Sequence, residues 1–232
     1  MTTTAERHKS LEIAQQDRVI ESSRQAALVG HSDVPYDTDL VRVALDDTCC
    51  VFQSNLPARL VPDQLGFDLL WDLHPTEYHE IKMYGRLVRM PLWQQAFDVD
   101  YYYTGRSNKA LPLPTELHPL RAWCQEKVDT RLNGAFINWY DGTLGHHIGP
   151  HRDSVVNLIP GSPIVTISLG EERIFRMRNW KGPGRRDFLV TNGAVIVIPW
   201  ATNLAWTHAV TCRKSHRGRR VSITFRAFDQ MP

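Results

Sequence analysis

The sequence predicts an α+β domain: an antiparallel sandwich or barrel, of which the double-sheet jelly roll is one form, with helices covering one sheet. From residue 134 onward, short β-like runs alternate with turn signals such as Asp141-Gly142 and Asn192-Gly193, as in antiparallel sheets. Upstream of residue 134, helix-forming segments are more prominent. The predicted strands of the second half are 135–140, 163–169, 173–178, 187–190, 194–199, 206–210 and 221–228.

The first half of the chain is predicted to supply the covering helices. At 62–73, apolar residues recur at helical spacing and place Leu65, Leu69, Leu70 and Leu73 on one side of a predicted helix. The other predicted elements are helices at 5–28 and 115–132, strands at 40–45 and 49–53, and a hairpin at 80–90 that turns at Tyr84-Gly85.

The length of 232 residues suits one large domain with a short extension. A polar segment at 30–39 separates the first predicted helix from the rest. We therefore predict an N-terminal helix and linker over residues 1–45 and one domain over residues 46–232, in a chain expected to be a monomer.

Composition excludes several classes of protein. No apolar run approaches the roughly 18 residues of a membrane span, and the N-terminus has no secretory pattern, so a cytoplasmic protein without membrane partners is expected. The four cysteines form no Cys-x-x-Cys pair, which argues against a zinc knuckle or a disulfide scaffold.

Charge is unevenly distributed although the net charge is only +2. The segment from Glu171 to the end has 12 Lys and Arg against 4 Asp and Glu. The basic excess can hold a polyanion or can be an ordinary solvated surface. It is sharpest at Arg213, Lys214, Arg217, Arg219 and Arg220.

His151 and Asp153 are candidate metal ligands. Alternate residues of an extended chain point to the same side, so both can face one ion, and His208 on a later strand can be the third ligand. Two histidines and one carboxylate leave open positions on Fe(II). One rival stays open at this point, the cluster of His146 and His147 with His151. A second His-x-Asp triplet begins at His31, in the polar linker, where no site is expected, so the triplet alone is a weak signal.

The C-terminal strand predicts a polar face as well as a core face. Arg220, Ser222, Thr224 and Arg226 alternate with apolar residues and therefore share one side. If that side looks into a barrel, the arginines need anionic partners, such as the two ends of a dicarboxylate; otherwise it is solvated. Upstream, Asn138 and Tyr140 share a side in the same way and offer an amide and a phenol.

These motifs together resemble the AlkB family of Fe(II)- and 2-oxoglutarate-dependent dioxygenases, whose fold is a double-stranded β-helix, a jelly-roll variant. The resemblance covers roughly residues 48–228 and implies this fold with N-terminal helices packed on one sheet. The matching segments, in chain order, are Tyr84-Gly85, Tyr102–Gly105, Asn138–Gly142, His151–Asp153, Ser168–Gly170, His208 and Arg220–Arg226.

The resemblance also implies roles for the residues. Fe(II) would be held by His151, Asp153 and His208. Arg220 and Tyr140 would meet the distal carboxylate of 2-oxoglutarate. The carboxylate beside the keto group would be met by Arg226 and Asn138, with Ser222 also in this site. The implied enzyme is an oxidoreductase that consumes 2-oxoglutarate and O₂, releases succinate and CO₂, and hydroxylates a C–H bond.

Three departures from the family pattern bear on the substrate. Gly142 comes one position early, Ser222 replaces a longer asparagine, and Val155 occupies a position where members that repair DNA often have an acidic residue. The first hypothesis is nonetheless oxidative dealkylation of N-alkylated bases in single-stranded DNA or RNA. Base chemistry needs aromatic stacking, for which Tyr102 and Tyr103 are candidates unless they only form a half-buried strand.

Two further hypotheses concern the substrate and the activity. The first is a hydroxylase of a small molecule or amino acid, which would use the same iron site. The valine at position 155 and the modest net charge of the chain favour this hypothesis. A catalytically inactive binding module is disfavoured because the three presumed ligands and both arginines are present.

Overall fold

The structure is a computed structural model that describes residues 39–83, 86–103 and 106–229. In these ranges two mainly antiparallel sheets face each other, as the jelly-roll prediction requires, and one strand pair at the edge of the larger sheet is parallel. The strands are β1 Val41–Ala44, β2 Cys50–Asn55, β3 Glu80–Met83, β4 Arg86–Arg89, β5 Trp93–Phe97, β6 Tyr101–Tyr103, β7 Arg106–Asn108, β8 Ala110–Leu111, β9 Gly134–Asp141, β10 Ile148–His151, β11 Ile164–Gly170, β12 Arg173–Asn179, β13 Arg185–Val190, β14 Ala194–Ile198, β15 Trp206–Val210 and β16 Arg219–Arg226. The helices are α1 Gln64–Trp71, α2 His118–Lys127 and α3 Trp200–Ala205, with 3₁₀ turns at Ala58–Leu60 and Thr115–Leu117.

The larger sheet has the strand order β1-β2-β14-β11-β16-β9-β5-β8, and the smaller sheet has the order β10-β15-β12-β13. Strand β16 lies in the middle of the larger sheet and pairs with β9 along its whole length and with β11 on its other side. The hairpins β3–β4 and β6–β7 form separate two-stranded ribbons. The strands predicted in the second half are thus confirmed, with shifts of one or two residues at their ends.

Helices α1 and α2 pack on the outer face of the larger sheet. Their buried side chains share one apolar cluster with the outward face of β16, including Val221, Ile223 and Phe225. A hydrogen bond from Trp139 Nε1 on β9 to the carbonyl oxygen of Leu70 (2.9 Å) fixes α1 on the sheet. A second cluster fills the space between the sheets, with Phe175 and Met177 of β12 among its members.

The helix predicted at 62–73 forms as α1, but most of the leucines on its predicted leucine side are exposed. Leu70 is buried, but Leu65, Leu69 and Leu73 are 69%, 58% and 43% exposed. Phe67 and Trp71 are buried instead, because the side of α1 that packs on the sheet is the one that carries Phe67, Leu70 and Trp71. Asp63 caps the helix by accepting a hydrogen bond from the backbone nitrogen of Gly66 (2.8 Å).

The predicted division of the chain stays a prediction. Strand β1 lies before residue 46 and pairs with β2, while the helix predicted at 5–28 lies outside the described residues. None of the helices in the described ranges is long and apolar enough to cross a bilayer.

Candidate metal centre and adjoining pocket

The small sheet brings the three predicted metal ligands together. His151 on β10 and His208 on β15 are cross-strand partners, and Asp153 follows two residues after His151. One ligand atom from each residue lies within 4.8 Å of the other two. Both Nε2 atoms face the same carboxylate oxygen, with 3.8 Å from His151 and 3.7 Å from His208 to Asp153 Oδ1.

The protonation of these groups suits a divalent cation. Burial lowers the pKa of His208 to about 3, so its imidazole is neutral. Burial alone would raise the pKa of Asp153, but the positive charge of Arg226 and the neighbouring histidines lower it to about 2. His151 Nδ1 donates to the carbonyl oxygen of Gly149 (2.9 Å), which orients the ring with Nε2 towards Asp153. The donor set is therefore two imidazole nitrogens and one carboxylate, which fits Fe(II).

The groups around the cluster hold Asp153 in place. Arg226 on β16 donates from Nε (2.9 Å) and Nη2 (2.6 Å) to Asp153 Oδ2, the oxygen that does not face the histidines. The side chain of Asn203 makes two hydrogen bonds with the backbone of Asp153, accepting from its nitrogen (3.0 Å) and donating to its oxygen (3.1 Å). The ring of Phe175 stacks on that of His208 with 5.5 Å between centroids.

The cluster opens into a cavity between the two sheets. Four of the five residues predicted to bind a dicarboxylate line it, namely Asn138, Tyr140, Ser222 and Arg226. The cavity is also lined by Gln94, Tyr101, Phe136, Ile148, His151, Asp153, Thr166, Phe175, His208, Val210 and Thr224. Polar side chains of β9 and β16 thus form one wall, and apolar side chains form much of the rest.

Arg220, the fifth predicted residue, is fully buried next to this wall. Its Nε donates to Ser168 Oγ (2.9 Å), and its Cζ lies 4.9 Å from the centre of the Tyr140 ring. Within the described part of the chain, Nη1 and Nη2 make no hydrogen bond. Burial raises the pKa of Tyr140, and the nearby charge of Arg220 offsets only part of that rise, so the phenol keeps its proton. A buried guanidinium with two unused donors is costly unless an anion meets it.

The rival histidine cluster does not form. His146 is buried, accepts a hydrogen bond from the backbone nitrogen of Asp141 at Nδ1 (3.1 Å) and lies 2.9 Å from Tyr78 Oη at Nε2. His147 is exposed, and its Nδ1 lies 3.0 Å from the carbonyl oxygen of Gly145. Across the described ranges, the group formed by His151, Asp153 and His208 is the one that gathers three potential ligands. The other His-x-Asp triplet, at residues 31–33, lies outside them.

The remaining candidate residues, the tyrosines at 101–103 and Val155, differ in whether they line the cavity. Tyr101 lines the cavity, Tyr102 is half-buried and is not among the lining residues, and the side chain of Tyr103 lies outside the described atoms. The assignment of Tyr102 and Tyr103 to a substrate stays a prediction. Val155 is buried and likewise absent from the cavity wall.

The basic run near the C-terminus separates into exposed and engaged residues. Arg213, Lys214 and Arg217 are exposed in the loop between β15 and β16. Arg219 instead pairs with Asp68 of α1, and Arg220 is inside the domain. Three of the five predicted cations can therefore meet a polyanion. The carboxylate of Glu171 anchors the loop by accepting from the backbone nitrogens of Arg217 (2.9 Å) and Gly218 (2.8 Å).

Sequence reasoning did not identify Gln94, Phe175 or Asn203 as site residues. None of them belongs to a short motif, and each reaches the site only through strand pairing or tertiary packing. For Phe175, the one available signal was its position on the predicted strand at 173–178, and Gln94 lay on no predicted element.

Comparisons with known proteins agree with this geometry. The model of the 2OG-Fe(II) oxygenase superfamily matches residues 78–226. Over 158 residues, the chain is 30% identical to "DNA oxidative demethylase ALKBH2" of Homo sapiens, a match that covers 63% of this chain and 60% of the human protein. The mouse protein of the same name is 28% identical over 63% of this chain and 66% of its own length. The chain thus matches less than two thirds of the length of these relatives.

Two more distant proteins are also similar. An uncharacterised protein, R406 of Acanthamoeba polyphaga mimivirus, is 25% identical over 67% of this chain and 80% of its own length. Among solved structures, that of OsALKBH1 superimposes with a TM-score of 0.52 at 12% identity, covering 81% of this chain and 99% of that one. The last similarity concerns the fold alone.

Proposed function

The chain belongs to the 2OG-Fe(II) oxygenase superfamily, is AlkB-like, and uses Fe(II), 2-oxoglutarate and O₂; from that premise we propose that it removes alkyl groups oxidatively from nitrogen atoms of nucleic-acid bases. The observation that carries the substrate class is the sequence similarity to proteins named DNA oxidative demethylase. The segment that contains the metal cluster lies within the family match over residues 78–226.

We assign Fe(II) to His151, Asp153 and His208. Their donor atoms lie close enough to share one ion, and the His208 imidazole and the Asp153 carboxylate are in the forms that bind metal. Iron bound there supplies the chemistry that couples oxidation of 2-oxoglutarate to succinate and CO₂ with transfer of one oxygen atom of O₂ to a C–H bond. The role of Arg226 at this site is to hold Asp153 so that Oδ1 stays directed at the histidines.

We assign the two carboxylates of 2-oxoglutarate to the polar wall of the cavity. Arg220 offers Nη1 and Nη2 beside the Tyr140 phenol, and a bidentate pair with the distal carboxylate would satisfy both donors. One nitrogen of Arg226, Nη1, has no hydrogen-bond partner among the described residues, whereas its other two nitrogens donate to Asp153. That donor and the amide of Asn138 are assigned to the carboxylate beside the keto group.

The buried position of the cluster sets a requirement on the substrate. Asp153 and His208 lie below the surface, so a base must leave its stack or belong to a single strand to bring its alkyl carbon there. Once that carbon is hydroxylated, its bond to the base nitrogen breaks, an aldehyde leaves and the nitrogen regains its electron pair. Phe136, Ile148 and Val210 give part of the cavity an apolar lining. The exposed Arg213, Lys214 and Arg217 are suited to phosphate contacts.

A small-molecule or amino-acid hydroxylase is the second candidate. The observation that favours it is Val155, a buried apolar residue at the position where DNA-repair members of the family often have an acid. Such an enzyme would use the same metal and the same 2-oxoglutarate site. It would not need the exposed basic loop.

The experiment that separates the two candidates is an aerobic assay of the Fe(II)-reconstituted protein with 2-oxoglutarate. The substrates are single-stranded DNA and RNA oligonucleotides that carry methyl groups on base nitrogens, analysed by mass spectrometry of the bases. The proposal expects loss of methyl groups and release of formaldehyde, both abolished in Asp153→Ala. Slow succinate formation with every base unchanged would contradict it and favour the hydroxylase.

A further inference from the structure

Gln94 and Asn138 face each other in the cavity wall. They are cross-strand partners on β5 and β9, and both side chains line the cavity that contains the metal cluster. Gln94 is 2% exposed. Its Nε2 donates a hydrogen bond of 2.8 Å to Asn138 Oδ1.

This hydrogen bond decides which end of the Asn138 amide is available. An amide side chain has an acceptor end, the oxygen, and a donor end, the nitrogen. In Asn138 the oxygen is already used by Gln94, while Nδ2 makes no hydrogen bond to any residue that the structure describes. The free group of Asn138 is therefore a donor, which is the group a carboxylate needs.

We propose that Gln94 is a positioning residue for 2-oxoglutarate, which fixes the Asn138 amide so that Nδ2 meets the carboxylate beside the keto group. This inference rests on the role assigned to Asn138 under the proposed function. Without Gln94, the two ends of the amide are nearly equivalent in shape and the group can rotate. The rotated amide presents Oδ1 to the carboxylate, and two acceptors repel each other.

Two substitutions of Gln94 test this orientation. Gln94→Leu removes the donor with little change in size. Gln94→Glu places an ionised acceptor opposite Asn138, which would draw Nδ2 away from the cavity and leave Oδ1 facing it. The chain also offers a matched control, Gln95→Leu, because Gln95 is the next residue of β5 and donates to the carbonyl oxygens of Ala96 (2.9 Å) and Lys109 (2.8 Å) rather than to Asn138.

Binding of 2-oxoglutarate is measured by calorimetry on the protein loaded with Mn(II) under anaerobic conditions, so that no turnover occurs. We expect Gln94→Leu to raise the Kd for 2-oxoglutarate about 3- to 10-fold, the range for one lost neutral hydrogen bond. Gln94→Glu should raise it further, and Gln95→Leu should leave it unchanged. Thermal unfolding is measured for each variant to check that the substitution has not disrupted the fold.

The double variant Gln94→Leu/Asn138→Ala distinguishes positioning from direct contact. If Gln94 acts through Asn138, the double variant binds 2-oxoglutarate no more weakly than Asn138→Ala alone. Additive losses, or an unchanged Kd in Gln94→Leu while Asn138→Ala binds more weakly, would overturn the positioning role alone. An unchanged Kd in Asn138→Ala would overturn the role assigned to Asn138 under the proposed function, and the positioning role with it.

Discussion

Arg226 binds one oxygen of the Asp153 carboxylate through two of its nitrogens, Nε and Nη2, while His151 and His208 face the other oxygen. The two side chains come from the middle of the larger sheet and from the segment after β10. Both are almost completely buried, at 5% and 3% exposure of their side chains. The carboxylate thus connects the arginine of one sheet to the histidines of the other.

Loss of this arginine should destabilise the protein and weaken metal binding. Arg226→Ala leaves the Asp153 carboxylate buried without its charge partner, which typically costs about 3–5 kcal/mol of the free energy of unfolding. Urea denaturation measures this loss, and titration with Mn(II) measures the metal affinity.

The matched control for Arg226→Ala is Arg176→Ala. Arg176 also makes two hydrogen bonds to one carboxylate, that of Asp187, but both side chains are about one third exposed. Its removal should cost less than about 1 kcal/mol. Equal losses in the two variants would contradict the view that the Asp153–Arg226 pair is a buried element of the site.

The exposed basic loop gives a prediction that depends on salt. If Arg213 and Lys214 contact phosphates, Arg213→Ala/Lys214→Ala should weaken binding of single-stranded DNA and lower the slope of log affinity against log salt by about 1.4, at about 0.7 per contact. Fluorescence anisotropy at several salt concentrations measures both quantities. Arg42→Ala/Arg59→Ala makes the same change in net charge in β1 and in the turn Ala58–Leu60 and should leave the slope unchanged. Equal effects of the two double variants would leave the loop without a specific role.

The cysteines test the packing of the larger sheet and its helices. Cys124 of α2 is fully buried, and burial raises the pKa of its thiol, whereas Cys212 is exposed. A thiol reagent added to the native protein should therefore modify Cys212 rapidly and Cys124 only after unfolding. In Cys212→Ser the rapid modification of this thiol is lost, and the half-buried Cys50 is then the most accessible thiol that remains. Modification of Cys124 at the rate of Cys212 would mean that α2 does not pack on the sheet as described.

The strands of the second half could be predicted because they are short β-like runs separated by turn signals, and in β16 polar and apolar residues also alternate. In β16, Arg220, Ser222, Thr224 and Arg226 face the interior, while the apolar residues between them pack under the helices. The spacing of His151 and Asp153 on an extended chain likewise predicted their common side. Those patterns do not predict which distant segments come into contact. The hydrogen bond between Arg226 and Asp153, for example, joins residues 73 positions apart.

The buried side of α1 shows where periodicity is insufficient. The side of α1 with Leu65 and Leu69 and the side with Phe67, Leu70 and Trp71 are both apolar. Which of the two sides is buried depends on how the helix packs on the sheet, and periodicity does not predict this. Gln94 was missed for a similar reason. A single glutamine in a short strand has no motif, and its importance depends on the register that places it opposite Asn138.

The central claim is that His151, Asp153 and His208 hold the iron that couples 2-oxoglutarate oxidation to loss of an alkyl group. The most direct test is to quantify succinate and demethylated base in one reaction on a methylated oligonucleotide. The account predicts one succinate for each methyl group lost, at substrate saturation, and neither product in Asp153→Ala of unchanged fold. Succinate formed by Asp153→Ala at the wild-type rate, or methyl loss without succinate, would contradict it.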